Sequence, residues 1–392
     1  MIALGLALMR KGHEVVLAGP PEYAGDATRW NVKYHPMGGN LTAFLARNNA
    51  VMGGNVLRIA RVVKRAIRVE VAAQFELLSG LAQASDRVVG ASLAFAARSC
   101  AEAAGRPYHF IAFAPDSFPS RYHPALGVRH LHLPQWVNRL SWWGARTLDN
   151  WLLRAALNRG RAGLGLPAIT DALGHFIVPG CSLLATDAEL APAPSDVHLP
   201  AAPTGAMLLD EPGDLPAEVE AFLAAGSPPI YIGFGSMPDS RPERTREQLV
   251  QVVRKAGCRA IVFTGASVLV GSKSGTDILT VGSLPHALLF PRVALAVHHG
   301  GAGTTSRAAR AGIPQVILPH VLDQFPCSAR IAARGLSPRP LFKHRPSVGS
   351  LVSSIREALG SAKMREHAAR LACELAGRDG AAQAAAILTG SR

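Results

Sequence analysis

The stretch HHGGAGTT, residues 298–305, joins two imidazoles, four very small residues and two hydroxyls. The run ALAV before it reads as a buried strand, and the residues from Thr304 onward read as a helix that stops at Gly312, with Pro314 beyond. Residues as small as Gly300, Gly301, Ala302 and Gly303 let a backbone approach a ligand closely. A helix start adds unpaired N–H groups and partial positive charge, worth about 1–2 kcal/mol to an anion. His299, Thr304 and Thr305 add side-chain donors. The chemistry is anion binding. No lysine precedes the hydroxyls, so this is not a P-loop. Ser306 stands where a dinucleotide fingerprint needs its third glycine, which disfavours a dehydrogenase although Asp323 lies at about the expected spacing.

Asp323-Gln324 follows the next apolar run, PQVILP, and should share a sheet edge with the glycine loop. A carboxylate repels a diphosphate but suits neighbouring hydroxyls, and the amide both donates and accepts. Diphosphate and vicinal hydroxyls together describe a nucleotide sugar.

The elements that must position these groups alternate. PPIYIGFG reads as a strand, Arg244–Ala256 as a helix, and CRAIVFTG, ALAVHHG and PQVILP as further strands, so a mostly parallel sheet covered by helices is expected. The first half has the same texture, with MIALGLALMRKGHEVVLAG reading as a helix, a glycine stop and a strand, and Tyr108–Ala114 as another strand. A Pro/Ala-rich passage then separates the halves. The expected layout is an N-terminal domain over 1–206, a linker over 207–216, a second domain over 217–374, and a C-terminal helix over 375–392 that packs back on the first domain. In 392 residues, two cores are expected.

Charges follow the first apolar run, and no cleavage site comes after it, which argues against a secretion signal. No run reaches the ~18–20 apolar residues of a membrane span. Five scattered cysteines form no metal spacing and no disulfide framework, so a cytoplasmic setting is expected. The net charge of +14 is spread along the chain instead of gathered in a basic tract, which disfavours nucleic acid and leaves an anionic small ligand or membrane surface. The tryptophans of residues 130–160 are read first as core packing, with an apolar acceptor pocket or peripheral membrane contact as the alternatives.

VGSLPHALLFPRVALAVHHGGAGTTSRAARAGIPQVILPHVLDQ resembles the donor-binding signature of the UDP-glycosyltransferase superfamily, in its bacterial sterol- and antibiotic-type branch. PPIYIGFGSMP resembles the strand and turn that open the C-terminal domain there, and ALGLALMRKGHEVVLAGPPEY the first helix and second strand. The resemblance implies a GT-B fold, two Rossmann-like doubly wound α/β domains facing a cleft. The first would bind a lipophilic acceptor (sterol, polyketide, macrolide or glycolipid) and the second a UDP- or dTDP-sugar. It implies an inverting, metal-independent hexosyl transfer without a cofactor. Ser236, His299, Gly301, Ala302, Gly303 and Thr304 would hold the diphosphate, and Asp323 and Gln324 the sugar. Val281, Ser283, Leu284 and His286 would border the nucleobase. With no carboxylate cluster to hold Mg²⁺, donors at the helix start must absorb the leaving group's charge.

Three departures matter. Ser283 replaces the tryptophan that stacks on uracil in plant members, and Arg307 replaces a ribose-binding glutamate, so it either pairs with phosphate or is exposed. A strand and a loop of the kind G-T-R-G-D-V-Q-P, carrying the acidic base, would precede the first helix in related bacterial enzymes. The expectation is therefore that the start lies upstream of Met1. His123 in SRYHPALG, with Asp116 nearby, is the candidate base within the chain. A catalytically silent sugar-nucleotide-binding partner protein and a GT-B sugar-nucleotide epimerase are the other readings.

Overall fold

The computed structural model describes residues 1–40, 43–44, 56–128, 133–210, 213–234, 242–263, 276–342 and 347–390. The chain forms two compact units, one of 1–188, 192–207 and 379–392, the other of 189–191 and 208–378.

The first unit opens with α1 (Ile2–Arg10), β1 (Val16–Gly19), α2 (Ala24–Arg29) and β2 (Lys33–Pro36). It continues with α3 (Val56–Gln83), β3 (Val88–Ala91), α4 (Ala97–Ala103) and β4 (Tyr108–Ala112). Then come α5 (Gln135–Asp149), α6 (Ala155–Gly163), α7 (Ala172–Phe176) and β5 (Ser182–Leu184). β1 and β2 pair in parallel, and β3, β4 and β5 form a second parallel sheet in that order. Alternation of strand and helix enforces this parallel pairing, because each crossover must return along the sheet.

Phe75, Phe110, Phe118, Phe176, Trp142 and Leu157 meet in its core, and the Phe95 and Phe176 rings cross edge-on at 5.6 Å. A satisfied polar knot sits beside them. Arg161 donates to Glu102 at 2.7 and 3.1 Å and to Ser99 Oγ at 3.2 Å, and Ser99 Oγ lies 2.8 Å from His175 Nε2. Burial, then the charges of Arg98 and Arg161, push the His175 imidazole down to about 4, so it is neutral.

The tryptophan-rich stretch departs from the core-packing expectation. Only Trp142 is buried. Trp136, Leu140, Trp143 and Trp151 stand exposed along α5 and the π-helical turn Asn150–Arg154 that continues it. A single helix face can point inward, and Asn138 and Trp142 occupy it.

The second unit holds α8 (Ala217–Ala224), β6 (Ile230–Gly233), α9 (Pro242–Ala256), β7 (Ala260–Phe263) and β8 (Ile278–Val281). It goes on with α10 (His286–Leu289), β9 (Leu295–His298), α11 (Ala302–Arg310), β10 (Gln315–Ile317) and α12 (Gln324–Ala333). α13 (Val348–Gly360) and α14 (Ala362–Leu375) close it. Its five-stranded sheet runs β10-β9-β6-β7-β8, all parallel. β8 was not expected from the sequence, and it forms the sheet's edge beyond β7. The order reverses between β6 and β9, a topological switch point where the loops diverge and leave room for a ligand. The last helix, α15 (Gly380–Thr389), belongs to the first unit and packs on α1. Its first residue must be glycine, because a Cβ on Gly380 would lie 2.7 Å from the Ala206 carbonyl oxygen and nearer still to Gly205.

Candidate functional site

β9 is buried along its whole length and lies between β6 and β10, with His298 level with Gly233 and Ile317. The chain leaves β9 at the switch point and turns sharply. Gly300 has φ +93°, and a Cβ there would meet Ile317 Cγ2 at 2.9 Å and the Gln324 carbonyl oxygen at 3.4 Å. A Cβ on Gly301 would stand 2.5 Å from His299 Nε2. The helix begins two residues earlier than its sequence pattern suggests. Gly301 is the N-cap of α11 with extended backbone, no side chain caps it, and no acid lies in the first turn. The first intrahelical bond runs from Thr305 N–H to the Gly301 carbonyl at 3.0 Å, so the N–H groups of Ala302, Gly303 and Thr304 precede the ladder. The space around Gly303 is open to 4 Å. This is an uncapped helix end with its positive pole exposed.

A neutral network holds that end in place. His298 Nδ1 accepts from Gly300 N–H at 3.1 Å, which leaves its proton on Nε2, 2.8 Å from Gln315 Oε1. Gln315 Nε2 donates in turn to the Thr305 carbonyl at 3.4 Å. Burial pushes His298 down to about 3, with Gln315 opposing and His299 and His286 adding to the shift. It is a structural imidazole tying β9, β10 and α11 together. His299 is also shifted down, by burial and then by His320, and its Nδ1 is buried with no hydrogen-bond partner among the described residues. A neutral imidazole with an uncommitted nitrogen can donate to a phosphate oxygen.

Beside α11, a cavity of about 170 Å³ is lined by Ser283, Leu284, His286, Thr304, Arg307 and Tyr231, among others. His286 stacks on Phe290 at 4.5 Å, and its Nε2 lies 3.0 Å from Tyr231 Oη. Burial, then Arg307, pushes His286 down to about 4, and burial raises the Tyr231 hydroxyl. Arg307 is neither exposed nor free for phosphate. It donates to the Leu209 carbonyl at 2.7 Å and pairs with Asp210 at 2.5 Å, which fixes the 209–210 segment as a cavity wall.

The cavity thus gathers Ser283, Leu284, His286 and Thr304, but its lining does not include His299, Gly301, Ala302, Gly303, Asp323 or Gln324. Val281 is buried at the end of β8. Ser236 lies outside the described residues. Asp323 is the N-cap residue of α12. Gln324 is largely spent on its own loop, because its Oε1 accepts from the His320 and Val321 N–H groups at 2.8 and 3.2 Å. That loop carries Leu322 at φ +45°, a strained position that these bonds hold.

In the first unit, His123 Nδ1 lies 3.1 Å from the Pro124 carbonyl and 3.8 Å from Asp116 Oδ1. Its ring stands edge-on to Trp142 at 5.8 Å, and Nε2 is buried with no hydrogen-bond partner among the described residues. A proton held on Nδ1 by the carbonyl leaves Nε2 as the basic atom.

Sequence reasoning missed Tyr231 and the Leu209–Asp210 wall. A tyrosine in the otherwise aliphatic strand IYIG was a usable signal for the first. The second comes from a segment far away in sequence and had none.

Residues 252–389 match the model of the erythromycin biosynthesis protein CIII-like C-terminal domain. The vancomycin aglycone glucosyltransferase of Amycolatopsis orientalis is 33% identical over 401 residues, covering 99% of this chain and 93% of that protein. A sterol 3-beta-glucosyltransferase of Arabidopsis thaliana is 29% identical, covering 98% of this chain and 64% of its own length. Among solved structures, the glycotransferase of kitacinnamycin superposes with a TM-score of 0.74 at 18% identity, covering 100% of this chain and 94% of that one. Its likeness concerns the fold.

Proposed function

The chain belongs to the antibiotic- and sterol-type glycosyltransferases of the UDP-glycosyltransferase superfamily, with the GT-B fold, and we propose that it moves a hexosyl group from a UDP- or dTDP-sugar to a hydroxyl of a lipophilic acceptor with inversion. In this reading the N–H groups at the start of α11, with His299 and Thr304, bind the diphosphate and take up the charge that develops on it as the glycosidic bond breaks. No metal is assigned a part. The cavity at Ser283, Leu284 and His286 borders the base, whose ring would stack there without a tryptophan. Asp323 and the Nε2 of Gln324 address the sugar hydroxyls. Ser236 is assigned to the diphosphate from the sequence alone. The first unit receives the acceptor, whose base is left unassigned: His123, the candidate within the chain, keeps its Nε2 buried and lies outside the lining of that unit's large cavity. The domain layout follows: donor binding over 217–374, acceptor binding over 1–206 with the 375–392 tail, and a 207–216 linker.

The observation that carries the reading is the uncapped, acid-free end of α11 meeting the Ser283–His286 cavity through Thr304. Labelled UDP- and dTDP-sugars incubated with a panel of hydrophobic alcohols test it. Transfer to an acceptor supports it. Donor binding without turnover, or an isomerised donor, overturns it. His299→Ala should weaken UDP or dTDP binding, while Asp323→Ala should spare that binding and lower transfer. Equal loss of diphosphate affinity in both would contradict the division of labour.

The setting proposed is cytoplasmic, with peripheral membrane contact. No helix among the described residues is long and apolar enough to cross a membrane. The exposed Trp136, Leu140 and Trp151, flanked by Arg139, Arg154 and Lys64, support contact with an anionic surface. Co-sedimentation with phosphatidylglycerol vesicles, absent with phosphatidylcholine, is the expected result.

A further inference from the structure

The first unit contains a second cavity, of about 660 Å³, far larger than the one beside α11. Arg121, Arg139, Arg146, His198, Asp196 and Trp143 line it. It forms between α5, which supplies Arg139, Trp142, Trp143 and Arg146, the loop after β4 and the segment after β5. The volume suits a small organic molecule.

Its electrostatics are lopsided. The single carboxylate in the wall, Asp196, is already engaged: Oδ1 accepts from Ser120 Oγ at 2.7 Å and Oδ2 from the Arg121 N–H at 2.9 Å. Burial opposes its ionisation, but these donors hold it below the usual carboxylate range, so it stays charged and occupied. The guanidiniums are less well served. Arg121 lies over the Tyr122 ring at 4.9 Å and donates from Nη2 to its hydroxyl at 2.8 Å, while its Nε is buried with no partner among the described residues. Arg146 Nε has Asp171 at 3.5 Å. Among the described residues, Arg139 has no carboxylate within ion-pair distance. Three guanidiniums and one hydrogen-bonded carboxylate thus face one cavity, which leaves a surplus of positive charge. The wall is also flat and apolar on one side, where the Trp143 indole is 68% exposed.

We propose that this cavity takes a molecule bearing an anionic group, a carboxylate or a phosphate monoester, on an apolar ring body: the anion among Arg121, Arg139 and Arg146, the ring against Trp143. Resting on the transferase reading, this makes the acceptor an anionic amphiphile and not a neutral sterol. A guanidinium is matched to carboxylate and phosphate alike, since its planar fork offers two parallel donors to two oxygens. The indole adds a rigid apolar face at little entropic cost.

The test measures binding to the full chain by calorimetry, with 6-hydroxy-2-naphthoate, its methyl ester, 2-naphthyl phosphate and inorganic phosphate as probes. One or both naphthyl anions should bind at least about tenfold more tightly than the ester, and inorganic phosphate, lacking the ring, should bind more weakly than either. Which anion leads identifies the group. In the Arg139→Gln, Arg146→Gln double variant, where only Arg121 remains, the preference for the anion over the ester should fall by at least about threefold, and in Trp143→Ala all three naphthyl probes should weaken together. Equal binding of acid and ester to the unaltered protein, an anion preference undiminished in the double variant, or no binding by any naphthyl probe would each overturn the proposal. UDP and dTDP titrated into the same proteins separate it from the transferase reading. Their unchanged affinity in the double variant shows that the fold is kept. If neither nucleotide binds the unaltered protein, the donor site is refuted, and the anion preference is still read directly.

Discussion

The two proposed sites offer negative charge opposite kinds of partner. In the donor site proposed beside α11, the groups assigned to a diphosphate are uncharged: backbone N–H groups, a neutral His299 and a threonine hydroxyl. The buried His298 imidazole and Gln315 amide hold the turn and the helix start, and Arg307 is turned away to anchor the 209–210 segment. In the first unit the groups facing the cavity are guanidiniums on loops and an exposed helix face, with few partners. Buried dipoles are rigid and costly to disturb, because a lost partner leaves a desolvated polar atom. Surface cations act at longer range and contribute little to the fold. The second unit should therefore be sensitive to any change near α11, and the first tolerant of change around its cavity.

Gly303→Asp is the harshest test of that contrast. Nothing lies within 4 Å of a Cβ at this position, so the side chain fits, and an acid in the first turn stabilises a helix by about 0.3–1 kcal/mol. The same charge would repel a diphosphate, and UDP or dTDP affinity should fall by about 100-fold, near 3 kcal/mol, while the melting temperature holds or rises. Unchanged affinity would remove α11 from the donor site.

Acid should separate the units next. His298 and His286 sit near 3 and 4 in the folded chain against about 6.5 when unfolded. The unfolded chain takes up more protons below that pH, so the second unit should lose about 2 kcal/mol between pH 6.5 and 5.5. In the first unit His175, near 4, acts in the same direction. Asp149, raised to about 6 by burial and then by Asp171, acts in the other, because its protonated form gains as the pH falls from 6. All the tryptophans (Trp30, Trp136, Trp142, Trp143 and Trp151) lie in the first unit. Urea unfolding followed by fluorescence should therefore shift less with acid than the remainder seen by far-UV circular dichroism. Equal shifts would break the comparison.

Gln315→Leu strands the Nε2 proton of fully buried His298 and should cost the second unit about 1.5 kcal/mol, measured by the same unfolding. Arg139→Gln sets the lower bound. With no carboxylate in reach among the described residues, it should change stability by less than about 0.5 kcal/mol while weakening anion binding in the first-unit cavity.

Much of this was legible in the chain. Short continuous apolar runs located β4, β6, β7, β9 and β10, because a strand buried on both faces must be apolar throughout. β8 escaped because ILTV sits between segments with no clear helical pattern. Gly300 and Gly301 announced the sharp turn after β9, since Ile317 and His299 stand too close for a Cβ there. Fold class, strand alternation and the glycine turn thus follow from local sequence, where sterics and periodicity act over a few residues. The partnerships do not. That His298 is a neutral strut, that Arg307 holds Leu209, that Gln324 spends its oxygen on its own loop, and that Arg121, Arg139 and Arg146 share one cavity depend on segments far apart in the chain. Side-chain charge and hydrogen-bond capacity are written in the sequence, but burial and neighbours set their use, and only folding supplies those.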